Sequence, residues 1–294
     1  MPKLKLRSPA KVNLYLKVAG KRPDGYHELE SIFQTIGLSD QLEISESRRG
    51  ISITTDDAGL STGKDNLVYR ATELFKREYH IRQGVRISLT KRIPVGGGLG
   101  GGSSNAASTL TGLNRLWKLG LSRSELALQA AKIGSDVPFF IYGGTALVKG
   151  RGEIIFPLAI KQDFHYLLIF PGFPVPTKNI YRNLKLLPAK PDNNINTIIQ
   201  YLTAGDIKQI SRLMHNDLEP VALRLYPELM KTWQTVKRIA DPGVMVSGSG
   251  STIFKLCSSS REALRLAKEL RRNLSAGKPE SRCDIFTSRY IPDK

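Results

Sequence analysis

PVGGGLGGGSSNAAS, residues 94–108, places six glycines in the seven positions from Gly96 to Gly102 and follows them with two serines and a run of small residues. Glycine loses more backbone freedom on folding than any other residue, so such a run is either a loose linker or a shape that no other residue can take. Its flanks argue against a linker. ISLTKRI (87–93) reads as the end of a strand, and SSNAASTLTGLNRLWKLG (103–120) reads as a helix with Leu110, Leu113, Leu116 and Trp117 at its apolar positions. Between a strand and a helix, Cβ-free residues let the chain turn tightly and bring successive N–H groups together. The helix N-terminus adds partial positive charge, and the whole is an anion site suited to phosphate. Ser103 and Ser104 are placed to cap the helix or to bind phosphate oxygens, and Asn105, Ala106 and Ala107 fit an immediate helix start. The competing reading is a glycine-rich hairpin or hinge.

The known phosphate loops narrow the choice. No Gly-Lys-Ser/Thr ends the run, so it is not a Walker A loop. Gly96, Gly98 and Gly101 match the dinucleotide spacing, but about 20 residues on, where an acidic residue should close a second strand, LWKLGLSRSE reads as a helix end and a helix start. Protein kinases carry HRD and DFG motifs after their glycine loop, and neither is present.

Around this segment the 294 residues suffice for two domains. No apolar run is long enough to cross a bilayer. The stretch MPKLKLRSPAKVNLYL alternates like a strand and lacks a signal peptide's apolar core, and Cys257 and Cys283 form neither a framework nor a CxxC motif. A cytoplasmic protein is the expectation. The net charge of +18 is spread along the chain rather than gathered in a basic arm. It fits solubility and anionic ligands better than a nucleic-acid partner. Four histidines without zinc spacing make a metal centre unexpected.

The remaining pattern mixes strands and helices, an α+β architecture. Strands are expected over 5–18, 41–47, 50–55 and 85–90, with a turn at RPDGYHE (22–28) and a helix over 65–79. Ser122 and Glu125 have capping-box spacing. Two short strands fill 143–158, a buried strand 164–170, and a loop PAKPDNN (188–194) precedes two or three helices interrupted at Pro220 and Pro227. Residues 243–257 read as strand, glycine turn and strand, followed by an amphipathic helix (261–274) and a closing strand (283–291). The boundary falls near Pro157, giving domains 1–158 and 159–294.

Two charged residues stand out. Asp136, in GSDVPFF, is an isolated carboxylate leading into an apolar segment. It is a candidate general base and equally a candidate N-cap, with Pro138 in the first turn. Lys11 shares one strand face with Asn13 while Ala10, Val12 and Leu14 take the other; a solvated face is the ordinary reading for such a lysine.

PVGGGLGGGSSNAA resembles the phosphate-binding motif of the GHMP small-molecule kinases. SPAKVNLYLKVAGKRPDGYHELES (8–31), GSDVPFF (134–140) and VSGSGSTIF (246–254) resemble, in the same order, the branch of that family acting on 4-diphosphocytidyl-2-C-methyl-D-erythritol. The resemblance spans nearly the whole chain. It implies an N-terminal domain like ribosomal protein S5 and a C-terminal α/β-plait (ferredoxin-like) domain, with the final strand returning toward the first domain and the active site between the two.

The resemblance also implies roles. Pro94, Gly96, Gly97, Gly98, Leu99, Gly100, Gly101, Gly102, Ser103 and Ser104 would bind the phosphates of ATP, with Asn66 and Leu67 on the adenine side. Lys11 and Asp136 would be catalytic. Asn13, Tyr26, His27, Tyr181 and the turn Gly248, Ser249 and Gly250 would bind the acceptor, with cytosine stacked between Tyr26 and Tyr181 and read by His27, and Thr252 nearby. Two departures matter. Many members carry an aspartate after the serine pair, where this chain has Asn105, and the glycine loop offers no carboxylate. Magnesium is expected with ATP, held mostly by phosphates and water, with no protein ligand to name. ATP and the cytidyl alcohol are the expected partners, with no membrane or nucleic acid, for a monomer or homodimer. The rivals are a mevalonate, homoserine or sugar kinase of the same family and an RNA-binding protein whose affinity would fall steeply with salt.

Overall fold

The computed structural model describes residues 3–185, 194–275 and 283–292. The first half runs β1 (Leu4–Lys21), β2 (His27–Ser47), β3 (Ile51–Thr55), α1 (Leu67–Glu78), β4 (Gly84–Thr90), α2 (Gly101–Leu116), α3 (Arg123–Ala131), α4 (Val137–Tyr142), β5 (Thr145–Gly150) and β6 (Ile154–Leu158). The second half runs β7 (His165–Phe170), α5 (Thr177–Arg182), α6 (Asn194–Ala204), α7 (Ile207–Leu213), β8 (His215–Asn216), α8 (Glu219–Leu225), α9 (Pro227–Ala240), β9 (Val244–Val246), β10 (Ile253–Cys257), α10 (Ser260–Ser275) and β11 (Asp284–Arg289). Of the loop expected over 188–194, only Asn194 lies within the described residues, and it opens α6. No helix among the described residues is long and apolar enough to cross a membrane.

The first sheet follows the order β3-β4-β2-β1-β8, with β5 pairing β2 and β6 pairing β5. β1 and β2 pair antiparallel, with register shifts at Pro9/Ala10, Asn13/Tyr15 and Val18/Gly20. Such bulges bend a strand and re-aim its side chains, and here two of them flank Lys11 and Asn13. Leu42, Ile44, Val85, Ile87 and Leu89 bury one face of the sheet against Ala71, Phe75, Ala106, Leu110 and Leu113 from α1 and α2. The capping box of Ser122 and Glu125 starts α3 as its spacing requires.

The second sheet has the order β11-β7-β10-β9, and its recorded pairings are antiparallel. This is the strand order of an α/β-plait, with helices between the first and second and between the third and fourth strands. Both of its faces are covered, which is why HYLLIF shows no polar alternation. Tyr166 and Leu168 pack with Ala10, Val12 and Leu14 of β1 and with Ile198 and Leu202 of α6. Leu167 and Ile169 pack with Val236, Ala263, Leu266 and Leu270 of α9 and α10. Pro220 is the second residue of α8 and Pro227 the first of α9. They start helices where their missing N–H is no loss, and four helices rather than two or three fill the connection.

Two strands of the second half reach the first domain. The closing strand β11 joins the second sheet beside β7 and also reaches the first domain: Ser288 Oγ accepts from the Leu38 N–H at 3.0 Å, and the continuation adds an Ile36–Tyr290 bridge and a 3.2 Å hydrogen bond from the Ile291 N–H to the Thr35 carbonyl. β8, from the second half, runs parallel to β1 at Tyr15 and Leu16.

Candidate active site

A cavity of about 1090 Å³ lies between the halves, floored by the glycine loop and α2 and walled by β1, the β1–β2 turn, α5 and the turn between β9 and β10. Every binding or catalytic residue expected from the sequence lines it except Ser104, Gly250 and Thr252.

The loop earns its shape from two sides. Gly96, Gly98 and Gly100 have φ of +70°, +75° and +69°, the left-handed region that favours glycine. The second domain then presses against it. A Cβ on Gly98 would lie 2.1 Å from the Ser247 carbonyl oxygen, and one on Gly96 would lie 2.5 Å from Pro174 Cβ. The Val175 N–H donates to the Gly96 carbonyl (3.1 Å), the Thr252 N–H to the Gly97 carbonyl (3.1 Å), and Ser247 Oγ to the Gly98 carbonyl (3.1 Å). The Lys11 N–H donates to the Leu99 carbonyl at 3.0 Å, fixing the loop to β1. With its carbonyls held this way, the segment leads into α2, whose first N–H groups have no intrahelical acceptor.

The capping expected of the serines does not occur. Gly100 occupies the N-cap position in the left-handed conformation, without a side-chain cap, and α2 begins at Gly101. Ser103 and Ser104 are therefore the third and fourth helical residues. Ser103 faces the cavity, whereas Ser104 is fully buried and its hydroxyl has no hydrogen-bond partner. The helix starts early because Gly101 and Gly102 adopt helical geometry in tight quarters: a Cβ on Gly101 would lie 3.0 Å from Ile93 Cγ2.

Lys11 and Asp136 meet across the cavity floor. Both faces of β1 are covered here, so Lys11 and Asn13 are 4% and 1% exposed rather than solvated. Lys11 Nζ donates to Asn13 Oδ1 at 2.6 Å, and Asn13 Nδ2 in turn donates to Ser31 Oγ at 3.2 Å. The ammonium lies 3.9 Å from Asp136 Oδ2 and 4.7 Å from the centre of the Phe33 ring. Burial pulls Lys11 below the ordinary lysine value, and the Asp136 charge opposes that pull. Asp136 stands at the N-cap of α4 yet makes no capping hydrogen bond, which leaves its oxygens free to accept from a ligand. Gly152 keeps space beside it: a Cβ there would meet Asp136 Oδ1 at 3.3 Å.

The far end is aromatic. The rings of His27 and Tyr181 lie 5.0 Å apart at 31°. Tyr26 is 53% exposed, and the Arg151 guanidinium covers one face of its ring at 4.9 Å. Burial first and the Lys21 charge second hold His27 below the ordinary imidazole value, and burial pushes the Tyr181 phenol up. The turn carrying Tyr26 and His27 is braced by Arg22, which bonds Asp24 (3.2 Å) and Glu28 (2.5 Å).

Asn66 caps α1: its Oδ1 accepts from the Val68 N–H at 2.8 Å and its Nδ2 donates to the Ser61 carbonyl at 2.6 Å. Its amide is thus occupied by the protein, and Leu67 beside it packs against the base of the glycine loop. Ser249 Oγ and Thr177 Oγ1 are 2.8 Å apart on the opposite wall. Gly250 faces inward, its N–H donating to the Ser247 carbonyl at 2.9 Å.

Several lining residues had no distinguishing sequence signal. Lys21, Lys91, Arg151, Lys178 and Arg182 read as scattered surface charge, and the fold brings all of them to the cavity wall. The adjacency of TKRI to the glycine run was the one available pointer to Lys91. Asn216 was also missed. Its Nδ2 donates at 2.8 Å to the carbonyls of both Val246 and Gly248, holding the glycine turn from behind. No group of three or more His, Cys, Asp or Glu among the described residues is arranged to hold a metal ion.

Comparison with known proteins agrees with this geometry. Residues 66–144 match the model of the GHMP kinases N terminal domain, and residues 198–276 match that of the GHMP kinases C terminal domain. A 4-diphosphocytidyl-2-C-methyl-D-erythritol kinase of Shouchella clausii is 44% identical over 270 residues, 92% of this chain and 91% of the relative. A crystal structure of 4-(cytidine 5'-diphospho)-2C-methyl-D-erythritol kinase superposes with a TM-score of 0.79 at 36% identity, covering 97% of this chain and 99% of that one. A homoserine kinase from Cytophaga hutchinsonii has a TM-score of 0.77 at 22% identity, covering 98% and 95%, and shares the fold alone. With a glycine loop facing a buried lysine–aspartate pair and relatives this close over nearly their whole length, the chain belongs to the 4-diphosphocytidyl-2-C-methyl-D-erythritol kinase family of the GHMP kinases.

Proposed function

We propose that this protein transfers the γ-phosphoryl group of ATP to the 2-hydroxyl of 4-diphosphocytidyl-2-C-methyl-D-erythritol, a step of the non-mevalonate isoprenoid pathway. The carrying observation is the 3.9 Å approach of Lys11 Nζ to Asp136 Oδ2, in a cavity that holds a phosphate loop at one end and an aromatic pair at the other.

Phosphoryl transfer asks the protein for position and charge more than for covalent chemistry. The triphosphate lies over the loop and the α2 N-terminus, whose N–H groups stabilise charge on the transferring group. The hydroxyl enters between Lys11 and Asp136. Asp136 accepts its proton, and the adjacent ammonium stabilises the developing alkoxide. Asn13 holds Lys11 toward that point. Transfer is direct and in line, without a phospho-enzyme. Magnesium would enter with ATP, held by phosphate oxygens and water, and would neutralise phosphate charge; the aspartates lining the cavity are Asp65 and Asp136, and Asp136 is assigned to the acceptor hydroxyl.

The cytosine sits at the aromatic end, against Tyr181 and Tyr26. A neutral His27, which both burial and Lys21 favour, both donates and accepts hydrogen bonds and so can read a base edge. Domains 1–158 and 159–294 divide the work, the first supplying the loop and the catalytic pair and the second Tyr181 and the 248–250 turn. The two unpaired cysteines suit a cytoplasmic setting.

The test is an ATP turnover assay with the cytidyl alcohol, following the new phosphomonoester by phosphorus NMR. Product that disappears in Asp136→Ala supports the assignment. Turnover with mevalonate or homoserine in its place keeps the kinase and overturns the cytidyl acceptor.

A further inference from the structure

We propose that Asp40 is the positioning residue of the nucleotide loop, and that its hydrogen bond with the amide of Asn105 is part of that role. The inference rests on the ATP-binding reading of the loop.

Asp40, on β2, is fully buried and lies outside the cavity lining. Its Oδ1 accepts from the main-chain N–H groups of Arg92 (2.7 Å) and Ile93 (2.8 Å). Its Oδ2 accepts from Asn105 Nδ2 (2.9 Å) and from the Lys91 ammonium. Lys91 Nζ also donates to Asn105 Oδ1 at 3.3 Å, closing a triangle. An ionised carboxylate has about four acceptor sites, and all four are filled.

These partners stand at the two ends of one segment. Residues 91–93 lead into Pro94, and Asn105 lies one turn inside α2. Between them the chain carries the six glycines, with the largest conformational freedom to lose. One buried group thus fixes the entry and the exit of the loop and sets where its N–H groups point. It also holds Lys91, whose side chain is 9% exposed and lines the cavity, at the first turn of α2. Without Asp40 that ammonium would be buried without a counter-charge, a costly arrangement.

The same geometry dictates the amide at 105. An aspartate there would remove the Nδ2–H that Asp40 Oδ2 accepts and set a second carboxyl group at the present 2.9 Å contact with a single ammonium beside them. Pairing one carboxylate with one amide is what keeps this contact hydrogen-bonded in the present chain.

The experiment compares wild type, Asp40→Asn, Asn105→Asp and the double variant. It reads kcat, KM for each substrate and, without turnover, the affinity for a non-hydrolysable ATP analogue. Asp40→Asn should raise KM for ATP and weaken analogue binding at least about tenfold, while KM for the alcohol stays within about twofold. Asn105→Asp should weaken ATP binding in the same way, and the double variant should regain about fivefold or more over Asp40→Asn. Unchanged analogue binding in folded Asp40→Asn overturns the proposal. So does a loss shared equally by both substrates with no recovery in the double variant, which marks a merely structural residue. Should Asp40→Asn not fold, Asn105→Ala carries the test: an ATP KM raised about threefold or more with an unaltered alcohol KM supports it, and an unaltered ATP KM overturns it. Folded wild type that binds no analogue overturns the ATP reading itself, whereas equal binding by wild type and Asp40→Asn removes only the role of Asp40.

Discussion

At one end of the cavity the ligand would meet main chain, and at the other it would meet side chains. The glycine segment offers N–H groups whose directions are set by left-handed φ values and by hydrogen bonds from both halves of the molecule. The aromatic end offers the rings of Tyr26, His27 and Tyr181, one of them largely exposed. Main-chain sites are rigid and indifferent to residue identity except where a Cβ does not fit. Side-chain sites are tuned residue by residue and tolerate losses one at a time. The two ends should therefore fail differently when altered.

The largest effect belongs to the point where they meet. Asp136→Asn should lower kcat about 10³-fold with both KM values nearly unchanged, measured by steady-state kinetics; a loss confined to KM would move Asp136 from the chemistry to binding. Next is Gly98→Ala, whose Cβ would lie 2.1 Å from the Ser247 carbonyl at φ +75°. Thermal or denaturant unfolding should show a loss of roughly 1–3 kcal/mol, with ATP affinity falling alongside. Gly102→Ala is the control, because its Cβ would meet only Leu67 Cδ1 at 3.6 Å, and stability should hold or rise by up to about 1 kcal/mol. Equal damage from both would mean that crowding is not what makes the loop glycine.

The aromatic end should break more gently. Tyr181→Ala should raise KM for the cytidyl substrate about tenfold or more, as lost base stacking does, and leave KM for ATP unaltered. Arg151→Ala should raise the same KM a few-fold, about the size of one cation–π contact, by freeing the Tyr26 ring it covers at 4.9 Å. The smallest effect is in the pH dependence of His27. Its value in the folded protein lies below the ordinary 6.5, so between those two values the unfolded chain binds more protons than the folded one, and stability rises with pH. Acidification from 6.5 through the lowered value should destabilise wild type more than His27→Gln, seen as diverging Tm values, and the KM for the cytidyl substrate should begin to climb only below 6.5.

The sequence was most legible where chemistry is local. The strand–glycine–helix order, the capping box at Ser122 and the paired face of Lys11 and Asn13 follow from spacing alone. Of the two roles the sequence left open for the serines, capping is ruled out because Gly101 and Gly102, poor helix formers by propensity, already belong to α2, with Gly101 close against Ile93. Lys11 looked solvated because its cover comes from residues distant in sequence, Phe33, Gly100 and Asp136 among them. Asp40 and Asn216 were invisible for the same reason, and Lys91 had only its adjacency to the glycine run to mark it. Each is an ordinary polar residue in sequence, and its meaning comes from long-range partners: the Asp40–Asn105 contact spans 65 positions and the Asn216–Gly248 contact 32. The resemblance to a family named residues most of which the fold gathers at one cavity, but it could not tell Ser103 from Ser104, since one helical step separates a cavity wall from the core.

The shortest strand in the molecule has a consequence for how such proteins can be recombined. His215 and Asn216 come from the second half but complete the first sheet, beside Tyr15 and Leu16. Asp217 follows, its N–H donating to the Leu16 carbonyl (3.0 Å) and its carboxylate accepting from the Val18 N–H (2.7 Å). A chimera made by joining residues 1–158 of this chain to the acceptor half of a relative would import a foreign version of that seam. The graft succeeds only if the donor's counterpart of 215–217 still fits Tyr15–Val18, so the exchangeable module is not the half-chain but the half-chain together with the strand that receives it.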